Sequence, residues 1–172
     1  MRLVDRLLGR KREPDPAEIF RALRAQVLAT GATRLGRSDS PANDEIVAAL
    51  MEWNLDGTVV TLVAIADGTV SLYFSSGGGI IGAGVHEGPR KAAEAFLSSA
   101  AKHRSLFVST TAAPLPGEGM TRFHSRTPGG DFASEARTQD LAEGRHALSP
   151  LFYAAQDVIT AVRTASPSPD AG

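Results

Sequence analysis

Cysteine is absent from the 172-residue chain. That single absence removes disulfides, thiolate nucleophiles, iron–sulfur clusters and cysteine-based zinc sites together, and it suits a reducing compartment. An excess of one charge is also missing. The formal net charge is −1, so no global field draws the chain to nucleic acid or to an anionic membrane, and any basic site has to be local. No window approaches the ~18–20 apolar residues of a membrane span. The opening MRLVDRLLGRKR carries no apolar run of signal-peptide length. The expectation is a cytoplasmic protein with no cofactor and no metal.

What is present is ordinary for a globular chain: 42% hydrophobic and 22% charged residues, enough for one sizeable core. The expected layout is a basic N-terminal segment over 1–14, a single domain over 15–164, and a disordered tail over 165–172 of the composition ASPSPDAG. In the basic segment Leu3, Val4, Leu7 and Leu8 fall at helical spacing among Arg2, Arg6, Arg10, Lys11 and Arg12. This reads as a frayed tail or a turn packed on its own domain. Membrane contact through residues 1–12 is the alternative.

A helix is expected from Asp15-Pro16-Ala17-Glu18, with Asp15 as cap and proline at the first position. It carries an apolar stripe of Ile19, Phe20, Leu23, Val27 and Leu28 and ends at Gly31. Two Asp-Gly pairs, at 56–57 and 67–68, each stand between β-prone runs. Such pairs favour two-residue type I′ turns, so a three-stranded antiparallel meander is expected over roughly 46–55, 58–66 and 69–75. Residues 46–55 also have helical propensity, and the following turn favours strand.

Two-residue turns set a register. Leu50 should face Val63, Met51 should face Leu62 and Trp53 should face Val60. Across the second turn Ile65 should face Val70, and Leu62 should face Tyr73. One face then carries Ile46, Leu50, Val59, Val63, Ile65, Val70, Leu72 and Phe74. The other carries Val47, Met51, Trp53, Val60, Leu62 and Tyr73. Both faces are apolar, so both need cover, from helices on each side or from a second subunit. Met51, Trp53, Leu62 and Tyr73 are the candidate interface for self-association or a protein partner.

A second helix is expected from Gly88-Pro89, and a last one from Ser149-Pro150 with Leu151, Phe152, Ala155, Val158, Ile159 and Val162 inward. Leu106-Phe107-Val108 reads as a short strand. Between these comes a hairpin over 120–127 and 132–138. It places Phe123, Phe132 and Ala136 on one side, and Arg122, His124, Arg126, Glu135 and Arg137 on the other. Arg122, His124, Arg126 and Arg137 form a candidate patch for an anionic partner; the plainer reading is the solvated side of a hairpin. Nucleic acid is not expected, since His124 alone supplies a ring beside those arginines.

Gly77, Gly79 and Gly82 match the G-x-G-x-x-G spacing of dinucleotide turns. The setting does not fit. The preceding strand is in an antiparallel meander, the next helix starts near Gly88, and Lys102, His103 and Arg104 stand where an acid is required. The glycines read as the exit from a sheet. An anion-binding nest of Ser75, Ser76, Gly77, Gly78 and Gly79 is the alternative. His86, His103, His124 and His146 show no metal-ligand spacing, and no serine sits in a nucleophile elbow. No catalytic residue is assigned.

The stretches IADGTVSLYFSSGGGIIGAG (65–84) and EGRHALSPLFYAAQDVITAVR (143–163) resemble a group of uncharacterised bacterial proteins, a likeness extending from about Ile46 onward. It implies a bacterial protein and brings no activity and no residue roles. The order helix, strands, helix, strands, helix is similar to profilin-like folds, roadblock and longin domains among them. That likeness implies an α+β fold of about five antiparallel strands with helices on both faces, acting as a dimerising scaffold. The expected function is a non-catalytic interaction or dimerisation module. The alternative is a small-ligand or anion-binding protein, conceivably an enzyme, using the loop after Phe74.

Overall fold

The computed structural model describes residues 14–35 and 41–166. The expectations for residues 1–12 and for the tail beyond Ser166 lie outside the described residues.

The first helix, α1 (Pro16–Ala29), opens as its sequence implies: Asp15 Oδ1 accepts from the Ala17 amide at 3.0 Å, with proline in the first turn. Then come β1 (Ala48–Leu55), β2 (Thr58–Ile65), β3 (Val70–Phe74) and β4 (Gly79–Ile80). The helix α2 (Glu87–Lys102) follows, then β5 (Val108–Ser109), β6 (Met120–Thr127) and β7 (Gly130–Arg137). A short α3 (Thr138–Ala142) and the long α4 (Ser149–Ala165) complete the described elements. All pairings are antiparallel, and the sheet runs β4-β3-β2-β1-β6-β7-β5.

The sheet therefore has seven strands, not about five. The two members beyond the meander and the hairpin, β4 and β5, are two-residue strands at its edges; β5 meets the strand expected at Leu106-Phe107-Val108 only at Val108, because Arg104–Leu106 form a 3-10 turn. Nothing that short has a period to read. At the other hairpin the turn is tighter than expected: Thr127 pairs with Gly130, leaving Pro128-Gly129 as a two-residue connection.

The first Asp-Gly turn has both residues at positive φ, Asp56 at 49° and Gly57 at 83°, as type I′ requires. The resulting register matches expectation: Leu50 faces Val63, Met51 faces Leu62 and Trp53 faces Val60. The second turn differs. The Ile65 amide donates to Thr69 O at 2.9 Å, the Gly68 amide donates to Ile65 O, and of its central residues only Gly68 is left-handed. Ala66 has joined Asp67 and Gly68 in a three-residue loop, and the register shifts by one: Ala64 faces Val70 and Leu62 faces Leu72. A one-residue slip moves every side chain to the opposite face. Val70, Leu72 and Phe74 consequently lie with Met51, and Tyr73 lies with Leu50. Ile46 and Val47 are exchanged as well. Val47 and Ala48 both belong to the Leu50 side, so the alternation breaks just before β1 begins.

Both faces are covered within one chain. α2 and α4 lay Ala93, Phe96, Ala100, Leu151, Phe152, Ala155, Val158 and Val162 on the Met51 side. On the Leu50 side α1 contributes Phe20 and Val27.

Candidate functional site

The face under α1 holds most of the buried charge. Glu52 follows Leu50 by two on β1 and points to the same side, with no solvent exposure. Four donors reach its carboxylate. Arg24 Nε and Thr61 Oγ1 (3.1 Å) meet Oε1; Arg24 Nη2 (2.8 Å) and His124 Nε2 (3.0 Å) meet Oε2. Burial pushes the Glu52 carboxyl up, but hydrogen bonds and charge from Arg24 and His124 outweigh it and hold the group at about 2. With both oxygens saturated, the carboxylate has no acceptor capacity left for a substrate or a metal.

The same cluster fastens α1 to the sheet. Arg24 Nη2 also donates to Ala113 O at 2.6 Å, tying in the loop before β6. Arg126 Nε bonds Asp131 at 2.9 Å, while its Nη1 reaches Val27 O (2.6 Å) and Thr30 O (2.7 Å) at the end of α1. A cation on those free carbonyls satisfies the helix terminus and its dipole.

The arginine–histidine patch is therefore not the solvated side of a hairpin. His124 is 4% exposed and Arg126 6%. Arg122 stands 3.6 Å from Glu135, and its Nε is buried with no hydrogen-bond partner among the described residues. Arg137 alone of the four is an exposed side chain, and it bonds Asp140 at 2.9 Å. Arg145 and then Arg137 hold the Asp140 carboxyl below its usual range. The alternation along the hairpin is as expected; α1 turns its polar side into an interior.

The candidate interface residues also part company. Met51 and Leu62 are fully buried beneath α2 and α4. Trp53 is half-buried, edge-on to Phe152 at 6.1 Å. Tyr73 lies on the opposite side, under α1. The four do not form one surface, because the slipped register sends Tyr73 to the other face.

The glycine run is a hairpin turn between β3 and β4. The Ser75 amide donates to Val59 O (2.9 Å), and Ser75 Oγ accepts from the Val59 amide (2.8 Å). The Gly77 amide donates to Phe74 O at 2.9 Å. Two amides of the would-be nest are thus used in the sheet and its turn. The small residues serve close approach. A Cβ on Gly77 would stand 2.6 Å from Pro16 Cβ, and one on Gly79 would stand 2.5 Å from Leu72 O.

That approach creates a groove. Pro16, Ile19, Phe20 and Leu23 of α1 form one wall; Tyr73, Gly78, Gly79 and Ile81 form the other, around about 220 Å³. Among the described residues no charged one lines it. Ile19 is 44% exposed and Ile81 66%. Ile19 belongs to the apolar stripe expected for α1, but of that stripe only Phe20 and Val27 are buried. A larger hollow of about 480 Å³ lies between Phe74, Ile80 and the last turn of α4.

Among the described residues no group of three or more His, Asp or Glu side chains could hold a metal ion, and no helix is long and apolar enough to cross a membrane. No family model, curated protein or solved structure matches the chain.

Proposed function

We propose that the chain is a non-catalytic protein-interaction module, docking an apolar segment in the groove between α1 and the glycine turn. The carrying observation is that groove: two apolar walls, no charge among its described lining residues, and Ile19 and Ile81 left largely exposed. Its 220 Å³ falls below the roughly 300–1,000 Å³ of small-molecule pockets. A short row of aliphatic side chains suits it better than a metabolite, and helix-in-groove recognition is the physical mode that fits. The small-ligand or anion reading keeps less support, because the amides of Ser75 and Gly77 are engaged. A cytoplasmic bacterial scaffold, of the kind the profilin-like element order implies, accords with this reading. Self-association would use the same groove, since α2 and α4 already cover the Trp53 side.

The test is titration of an amphipathic peptide of about 18 residues, with leucines at i, i+3, i+4 and i+7, followed by amide chemical shifts. Shifts concentrated at Gly78, Gly79 and Ile81 and abolished by Ile81→Asp are expected. An equal response to a scrambled peptide would remove the proposal.

A further inference from the structure

Among the described residues one edge of the sheet is open, and it borders the groove. β4 is the outermost strand on that side. The Phe74 amide donates to Gly78 O at 3.2 Å, Ile80 stands directly opposite Leu72, and the Gly82 amide reaches Ser71 Oγ at 3.4 Å. Residues 78, 80 and 82 thus turn their backbone groups towards β3. By the alternation of an antiparallel ladder, the N–H and C=O groups of Gly79 and Ile81 point away from the sheet, and both residues are exposed. Side chains alternate as well: Ile80 packs on the α4 side, while Ile81 lines the groove. Sheets guard such edges with charge, proline or a bulge. The opposite edge strand, β5, follows Lys102, His103 and Arg104 and precedes Pro114. Around β4 no charged residue and no proline occurs between Asp67 and His86.

We propose that β4 pairs antiparallel with β4 of a second copy of this chain, about a two-fold axis at Ile80, and that Ile81 of each copy enters the groove of the other. This rests on the docking reading above and names its occupant. A two-fold contact sets a segment against itself, where any charge would meet its like. The uncharged stretch around β4 suits that arrangement and favours a second copy over a charged partner. An axis at Ile80 gives the register that uses both outward residues. Gly79 meets Ile81 of the partner subunit, Ile81 meets the partner's Gly79, and each pair exchanges N–H···O bonds, with Ile80 opposite the partner subunit's Ile80. Glycine at 79 has no side chain, so the incoming isoleucine crosses bare backbone into the groove. β4 is short, so the pairing is confined to these residues and the groove contact supplies the rest.

The test is sedimentation equilibrium of the full chain from micromolar to millimolar concentration, beside Ile80→Lys. Ile80 is not among the groove's lining residues, so the lysine opposes itself across the axis and leaves those walls intact. A concentration-dependent dimer is expected, weakened about tenfold or more by Ile80→Lys. With no native cysteine, Ile80→Cys should also oxidise to a disulfide between chains about tenfold faster than Ser76→Cys, which is exposed on the same turn but off the axis. Opposed residues of a non-hydrogen-bonded pair stand about 4.5 Å apart at Cα, within disulfide reach. Circular dichroism checks that each variant is folded, and the parent's sedimentation needs no variant. A parent that stays monomeric, a dimer that Ile80→Lys leaves unchanged, or equal oxidation rates would overturn the pairing. The amphipathic peptide is also titrated into the parent and into Ile80→Lys. Peptide binding to a strictly monomeric parent would keep the groove as a docking surface and reject the second copy. A dimer lost in Ile80→Lys, whose groove then ignores the peptide, would uphold the edge pairing and remove the groove from it. Failure of both would withdraw both.

Discussion

The two faces of the sheet are built on different physics. On one, α2 and α4 bury a continuous apolar set around Phe96, Leu151, Ala155 and Val158, each at 0% exposure. On the other, α1 buries Phe20 and Val27 and is otherwise held by ions: Arg24 on Glu52, and Arg126 on the carbonyls of Val27 and Thr30. Apolar packing is non-directional and tolerates repacking, whereas a buried ion pair is favourable only in one geometry. The α1 face therefore gains a fixed helix position more than it gains stability. That position sets the width of the groove.

Truncation should separate the two faces. Phe96→Ala removes a fully buried ring and is expected to cost about 3–5 kcal/mol, read as a lowered urea midpoint for the whole domain. Glu52→Gln should cost less, about 2–3 kcal/mol, because Arg24 is 13% exposed and water partly compensates it. Its hydrogen-exchange pattern should also differ, with α1 amides losing protection while α4 keeps its own. Equal loss of protection in both helices would mean that the faces are one cooperative unit.

Acid should act on the ionic face. The Glu52 carboxyl sits at about 2 in the fold against 4.5 unperturbed. A depressed carboxyl contributes stability above its unfolded value and loses that contribution as pH falls towards the folded one. Roughly 3 kcal/mol should thus disappear between about pH 4.5 and 2. Denaturation midpoints measured along that range should fall less steeply in Glu52→Gln. Parallel acid limbs would show that Glu52 is not held ionised by its neighbours.

How much of this was legible follows the same division. The apolar face was readable: the stripes of α2 and α4 announce themselves by period, and Asp56-Gly57 alone fixes the β1–β2 register. The second Asp-Gly pair misled because Asp56-Gly57-Thr58-Val59 and Asp67-Gly68-Thr69-Val70 are the same tetrapeptide, so nothing within it says that Ala66 joins the second turn. The ionic face was hidden for a deeper reason. Alternating Arg122, His124 and Arg126 have the pattern of a wet strand, and only a helix laid over them makes them interior. Glu52, standing alone in the run Ile46 to Trp53, was the available signal. An acid in the middle of an apolar strand asks for a cation, and Arg24 lies on the one helix free to supply it. The groove had no signal of its own, since it arises where that helix meets a turn.

The smallest effect tests that meeting point. Gly77 and Gly78 both have positive φ, 110° and 79°, so alanine at either is strained by about 1 kcal/mol. A Cβ at Gly78 meets nothing within 4 Å, whereas one at Gly77 stands 2.6 Å from Pro16 Cβ. Gly77→Ala should therefore exceed Gly78→Ala by a further ~1 kcal/mol in urea denaturation, and it alone should speed exchange in the first turn of α1. Equal costs would mean that α1 yields freely at Pro16. The groove would then be a gap between mobile parts, and Arg24 and Arg126 would hold the far end of the helix without fixing the near one.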